Sequence, residues 1–310
     1  MQIFHGYTGL PGAARGAVAA LGNFDGVHLG HQAVMAQAAD LARTLDAPAA
    51  AAVFTPHPRR VFQPDSEPFA LMTDAQRVRA LGEAGAALVH HIPFDRALAA
   101  MTPERFVAEV LDDGLGLTGV VTGADFCFGK DRSGNAQALQ DLGAARGLTV
   151  AIARPVSTQE QAGKISSSDV RQALRAGDPE RAAALLGRPF AIEGVVSQGD
   201  QRGRTLGFPT ANVALGEYVR PAFGVYAVRV DLGAGEAIPG VANIGRRPTV
   251  DGTQARLEAH LFDVSADLYG RRISCALVAF LRPEQRFDGL DALKAQIAED
   301  CETARRLLGA

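Results

Sequence analysis

The chain has 310 residues, 47% hydrophobic and 21% charged, with a formal net charge of −3 at pH 7. Those totals describe a globular protein of about two domains, each large enough to bury a core, and exclude a disordered or fibrous chain. The slightly acidic balance lacks the basic footprint of a nucleic-acid binder, so no nucleic-acid partner is expected. A short apolar run from 16 to 21 reads as a buried strand. It breaks into Leu21-Gly22-Asn23-Phe24-Asp25-Gly26-Val27-His28-Leu29-Gly30-His31 before helical spacing takes over from Gly30 to Asp46. Everything upstream of this run reads as a lead-in. A strand that ends in a glycine-rich turn and feeds a helix offers backbone N–H groups and a positive dipole end to a phosphate, with His28 and His31 placed to donate to its oxygens.

Further along, Ala49 to Phe54 is a strand candidate closed by Thr55-Pro56-His57-Pro58, whose prolines stop it. Asp74 can cap a helix to Glu83, a strand follows from Ala86 to Val89, and Thr102-Pro103 starts a helix with Phe106, Val107, Val110 and Leu111 on one face. His57, His90 and His91 lack metal-ligand spacing and read as surface or loop residues. Strand candidates at 117–122 and 148–153 flank a helical pattern at 136–146. Apolar runs alternating with amphipathic helices predict βαβ units and a parallel sheet. Two short helices start at Ser168 and Asp178-Pro179 and end near Gly187, where the period changes. Strand candidates at 190–196, 224–232, 240–244, 255–264 and 273–281 predict an antiparallel barrel or sandwich, and the final helix, Leu290 to Leu308, should pack on it. The expected division is 1–187 and 188–310.

Two segments keep company with the histidine turn. Gly123-Ala124-Asp125-Phe126-Cys127-Phe128-Gly129 follows a strand, so it belongs at the same ligand-binding edge of the sheet. It is not a P-loop, because neither the Walker spacing nor its Ser/Thr is present. Lys164-Ile165-Ser166-Ser167-Ser168-Asp169-Val170-Arg171 sets hydroxyls, a lysine and an arginine at a helix start, the donors that a triphosphate needs as charge develops on its oxygens. In the second half, the segment from Gly199 to Asn212 is too polar and long for a plain hairpin. Its Gly199 and Gly203 permit close backbone approach, Arg204 adds a cation, and Thr210 and Asn212 offer oxygens suited to Mg²⁺. Alternation across 256–261 puts Leu257, Ala259 and Leu261 on one face and Glu258 with His260 on the other. Arg246 and Arg247 fit either an exposed loop pair or phosphate binding.

The HxGH string, read as His28-Leu29-Gly30-His31, resembles the nucleotidyltransferase superfamily. The longer GNFDGVHLGHQ is similar to the FMN adenylyltransferase module of the bacterial bifunctional riboflavin kinase/FAD synthetases. ISSSDVR resembles that family's second signature, with Ser168 where Thr is usual, and Cys127 stands where many members carry arginine. GRTLGFPTAN and LEAHLFDVSADLYGRRI resemble the flavokinase signatures, and VANIGRRPT with LRPEQRF extends the likeness over nearly the whole chain. The resemblance implies a Rossmann-like α/β domain with a parallel sheet, followed by an antiparallel β-barrel with a terminal helix. It implies phosphorylation of riboflavin to FMN by ATP and adenylylation of FMN to FAD by a second ATP, with Mg²⁺ at both sites.

For the residues, the resemblance implies ATP contacts at Gly22, Asn23, Phe24, Asp25, Gly30, Ser166 and Ser167, and catalytic roles for His28, His31 and Arg171. It also implies flavin contacts at Asp125, Phe126 and Phe128, ATP or phosphate contacts at Gly199, Gly203 and Arg204, Mg²⁺ and phosphate contacts at Thr210 and Asn212, and a general base at Glu258. The alternatives are a single working module, or a flavin- or nucleotide-binding regulatory protein without turnover. The three cysteines, Cys127, Cys275 and Cys301, are far apart and suggest neither disulfides nor a zinc site. With no apolar span and no leader pattern, a cytoplasmic protein without a membrane partner is expected.

Overall fold

The computed structural model describes residues 1–154, 164–197, 208–233, 235–249, 252–264 and 266–310. Its contacts divide the chain into two compact units. One holds 1–66 and 74–166, and the other holds 67–73 and 167–310. By contacts, then, the two short helices Ser167–Arg175 and Pro179–Leu186 group with the second unit, together with a seven-residue segment from the first half of the chain.

The first unit is built on strands β1 (Gln2–His5), β2 (Val18–Gly22), β3 (Ala49–Thr55), β4 (Leu88–Pro93), β5 (Gly119–Gly123), the short β6 (Cys127–Phe128) and β7 (Gly134–Asn135), and β8 (Thr149–Ala153). Six of them form one parallel sheet in the order β1-β4-β3-β2-β5-β8. Every residue from Val18 to Leu21 and from Ala50 to Phe54 is buried, as a strand covered on both faces requires. The Leu29–Thr44 helix puts Met35, Ala38 and Ala42 in the interior. Phe106, Val107, Val110 and Leu111 join Ala19, Leu21, Ala50, Ala52 and Phe54 in one core cluster, as their spacing predicts. The expected caps form at two helix starts: Thr102 accepts from Arg105 N at 3.3 Å and Asp178 from Arg181 N at 2.9 Å.

Two expectations fail here. The lead-in contains an edge strand, β1, paired in parallel with β4. The strand predicted to end at Val89 continues to Pro93, and His90 and His91 therefore lie inside the sheet, 0% and 3% exposed, rather than at the surface. His57 caps the Pro58–Phe62 helix by accepting from Arg59 N.

His90 stacks on Phe4, and among the described residues neither of its ring nitrogens has a hydrogen-bond partner. Burial, and next the neighbouring His91, push its pKa down to about 4. The folded protein thus holds His90 neutral while the unfolded chain protonates it near 6.5, so stability present above that pH drains away as pH falls from 6.5 towards 4. The loss is at most about 3 kcal/mol. Leucine at this position removes two unsatisfied polar atoms at similar volume. His90→Leu is expected to match the parent's thermal midpoint within a few degrees at pH 8 and to flatten its decline between pH 6.5 and 4, measured by calorimetry.

The second unit carries β9 (Phe190–Val195), β10 (Ala211–Ala214), β11 (Gly224–Asp231), β12 (Ile238–Thr249), β13 (Gly252–Leu261) and β14 (Arg272–Pro283). All pair antiparallel in the order β10-β13-β12-β11-β14-β9, and a bridge between Ser197 and Asn212 joins the two edges into a nearly closed barrel rather than a sandwich. β10 starts inside the 199–212 segment, where no strand is predicted, β12 runs longer than the expected 240–244, and β13 starts and ends three residues ahead of the expected 255–264. The Leu290–Leu308 helix matches its expected limits and packs Ala304 and Leu308 against Val225, Ala227 and Val241. Asp300, 6% exposed, accepts from Arg282 through both carboxylate oxygens and ties this helix to β14.

Candidate functional site

In the first unit, β3 and β4 follow β2 on one side, and β5 and β8 lie on the other. The strand order therefore reverses between β2 and β5, and the crevice beyond their C-terminal ends is where such sheets bind ligands. Thr122 Oγ1 donates to Leu21 O at 3.1 Å and keeps these two ends side by side. From β2 emerges the histidine turn. Phe24 and Val27 have φ of 52° and 38°, a strained region for side-chain-bearing residues. Phe24, Asp25, Val27 and His28 are all buried. His28 caps the helix, its Nδ1 accepting from His31 N at 3.3 Å. The two imidazoles stack with centroids 3.7 Å apart, and Phe24 tilts against His31 at 5.0 Å. A Cβ on Gly30 would lie 3.1 Å from the His28 ring and 3.2 Å from Ile165 O, so glycine here lets both the ring and the 164–166 segment approach the helix start.

From β5 emerges the loop holding Asp125, Phe126 and Phe128. Lys164, just ahead of Ser166, ion-pairs with Asp125 and links this loop to the serine segment. Burial raises the Asp125 pKa, but the hydrogen bond and charge of Lys164, with smaller help from its own backbone and Arg132, outweigh it and leave the carboxylate below its usual range. Phe126 stacks on Phe128 at 5.7 Å, and ring contacts continue through Phe106, Phe54 and Phe94 to the exposed Phe62. Sequence reading placed only the first two of these aromatics at the site; the others sit on separate elements that only the fold brings together. Arg171 and Ser167 fall in the second unit, and Arg171 Nε donates to Phe69 O at 2.7 Å with its guanidinium over the Phe69 ring.

In the barrel, Glu258 of β13 stands directly across from Asn212 of β10 and Asn243 of β12. Opposed residues of antiparallel strands share a face, so one carboxylate is flanked by two carboxamides. Leu257, Ala259 and Leu261 are buried on the other face while Glu258 and His260 are half-buried, as the alternation predicts. Asn212 Nδ2 donates to Thr210 O at 3.3 Å. His260 lies edge-on to Phe208 and Phe262, with Nδ1 2.9 Å from Pro209 O, which docks the Phe208–Thr210 stretch onto β13. Asn243, which carried no assigned role, donates to Glu284 Oε1 at 3.3 Å; a Cβ on Gly245 would collide with that carboxylate. Among the described residues no three His, Cys, Asp or Glu side chains could hold a metal. The Thr210 hydroxyl and Asn212 amide oxygen are neutral hard donors, which suit Mg²⁺ that also takes substrate phosphate oxygens. Gly199, Gly203, Arg204 and the Arg247 side chain lie outside the described residues.

Comparison with known proteins finds two family models in tandem along the chain. The FAD synthetase family model matches residues 10–169 and the riboflavin kinase model residues 186–308. A bifunctional riboflavin kinase/FMN adenylyltransferase of Escherichia coli K12 is 45% identical over 100% of this chain and 98% of that protein. One from Bacillus subtilis is 38% identical over 94% of this chain and 92% of that protein. A crystal structure described as a macrolide-efflux protein from Streptococcus pneumoniae aligns with TM-score 0.85 at 32% identity, covering 98% of both chains. Efflux is said of that protein; among the described residues here, no helix is long and apolar enough to cross a membrane. With both family models in tandem and full-length relatives at these identities, the chain belongs to the bifunctional riboflavin kinase/FMN adenylyltransferases.

Proposed function

We propose that the two activities divide along the chain, FMN adenylylation in 1–187 and riboflavin phosphorylation in 188–310, each site using its own ATP. The observation that carries the kinase assignment is Glu258, half-buried and in register between Asn212 and Asn243. Glu258 takes the proton of the ribityl 5′-hydroxyl as its oxygen attacks the γ-phosphorus and the bond to the β-phosphate oxygen breaks, releasing ADP. Thr210 and Asn212 hold Mg²⁺, which supplies charge neutralisation on the phosphates when bound. The resemblance assigns Gly199, Gly203 and Arg204, which lie outside the described residues, to the ATP phosphates.

In the adenylyl step the FMN phosphate is already ionised and attacks the α-phosphorus, and pyrophosphate leaves, so no base is needed. His28, His31 and Arg171, with Ser166 and Ser167, orient and stabilise the triphosphate, while Gly22, Asn23, Phe24, Asp25 and Gly30 shape its turn. Asp125, Phe126 and Phe128 contact the flavin, and the aromatic chain from Phe126 to Phe62 supports that reading. A cytoplasmic location is supported by three free cysteines, of which burial pushes the Cys275 thiol up to about 12. Incubation of the purified chain with riboflavin, ATP and Mg²⁺ is expected to give FMN first and FAD after it on chromatographic separation. FMN without FAD would remove the adenylyl assignment, and unchanged riboflavin would favour a binding protein without turnover.

A further inference from the structure

We propose that Arg77 is a positioning residue for adenylyl transfer, the clamp that fixes the Asn23–His28 turn against the end of β3. This rests on the reading of that turn as the triphosphate site. Arg77 lies on the Asp74–Glu83 helix, where a charged residue would ordinarily face water, yet it is only 7% exposed. Its guanidinium ties two separate pieces of the chain, the turn and the end of β3, to its own helix. Nη1 donates to Asn23 O at 3.1 Å and to Phe54 O at 3.3 Å, and Nη2 donates to Thr55 Oγ1 at 2.7 Å and to the Asp74 carboxylate. Only a planar fork reaches these acceptors together; a lysine ammonium supplies one point.

What Arg77 holds is connected to the chemistry by contacts. Asn23 precedes Phe24, whose ring lies 5.0 Å from His31, and His31 stacks on His28 at 3.7 Å. The turn also stores strain at Phe24 and Val27, which persists only where its surroundings over-determine the backbone. Release of the Asn23 carbonyl therefore lets the turn relax and moves both imidazoles. The Arg77–Asp74 ion pair, whose carboxylate is half exposed, adds little to net stability, so stability alone gives a weak reason for an arginine here. Holding donors in register with developing charge gives a better one, since a displacement of about 1 Å costs as much as about 100-fold in rate.

The test uses the full chain carrying Arg77→Lys, His28→Asn and the pair, with FMN-to-FAD and riboflavin-to-FMN rates measured on the same preparations. Arg77→Lys is expected to lower kcat for FMN adenylylation about tenfold or more. The KM for FMN should stay within about twofold and the kinase rate should not change. Combined with His28→Asn, the lysine should add almost no further loss, because both act through the imidazoles. Effects that multiply in the double variant, or parental kcat in folded Arg77→Lys, would overturn the proposal. Should Arg77→Lys fail to fold, Thr55→Val removes one acceptor and keeps the arginine; it is expected to show a smaller kcat loss with the same non-additivity, and parental kcat in it overturns the clamp. If His28→Asn itself leaves adenylylation intact, the reading of the turn fails instead.

Discussion

Glu258→Gln is expected to lower FMN formation by about 10²–10⁴-fold, the usual contribution of a general base, and to leave conversion of supplied FMN to FAD unchanged. Glutamine preserves the shape of the side chain and an oxygen acceptor, so the hydrogen-bonding environment between Asn212 and Asn243 is kept while proton acceptance is lost. The position is half-buried on the polar side of β13, opposite the face where Leu257, Ala259 and Leu261 pack, so the barrel core is not disturbed. Separation of riboflavin, FMN and FAD after incubation with ATP and Mg²⁺ measures both steps on one sample. Loss of FAD formation from supplied FMN would refute the assignment of the two reactions to separate sites.

The face that glutamate occupies was legible in the sequence because a strand with one buried face writes a period of two into its residues, whereas its role as a base came only from the resemblance to the flavokinase signature. Its pairing with its neighbours was not legible. Asn212, Asn243 and Glu284 lie far apart in the chain, and register between strands depends on pairings that no single sequence states. The same limit hid the aromatic chain from Phe62 to Phe126. Helices were more readable, as Leu290–Leu308 and the cap at Asp178 attest, because caps and apolar stripes are local.

Elements that break the local pattern were misjudged. β1 is a four-residue edge strand, largely exposed, with no buried alternation to announce it. His90 and His91 read as polar punctuation, although the sheet carries them inside. Residues 67–73 group with the second unit through Ala70, which bridges Tyr218, and through Phe69, whose carbonyl holds Arg171. A short segment that leaves its neighbours in this way has no signature in composition. Arg77 belongs with these cases: its charge suggests a place in solvent, and only the chain segments it bridges give it another role.

The histidine turn permits a test that separates chemistry from folding. His28 does two things: its ring stands at the expected triphosphate site, and its Nδ1 caps the Leu29–Thr44 helix. Asparagine is a good cap but has no imidazole, whereas alanine has neither property. Both His28→Asn and His28→Ala are expected to reduce FMN adenylylation by about 10²–10³-fold, the size seen when a preorganised donor to developing negative charge is removed. Only the alanine variant should also lose about 1 kcal/mol of stability, seen as a lower thermal midpoint. Riboflavin phosphorylation should be unaffected in both. If His28→Asn retained full adenylylation, the imidazole would be a helix cap and nothing more. If instead the two variants lost activity in proportion to their thermal midpoints, the turn would act through the stability of the helix start. The expected pattern, equal loss of rate with unequal loss of stability, arises only if the ring itself meets the phosphates.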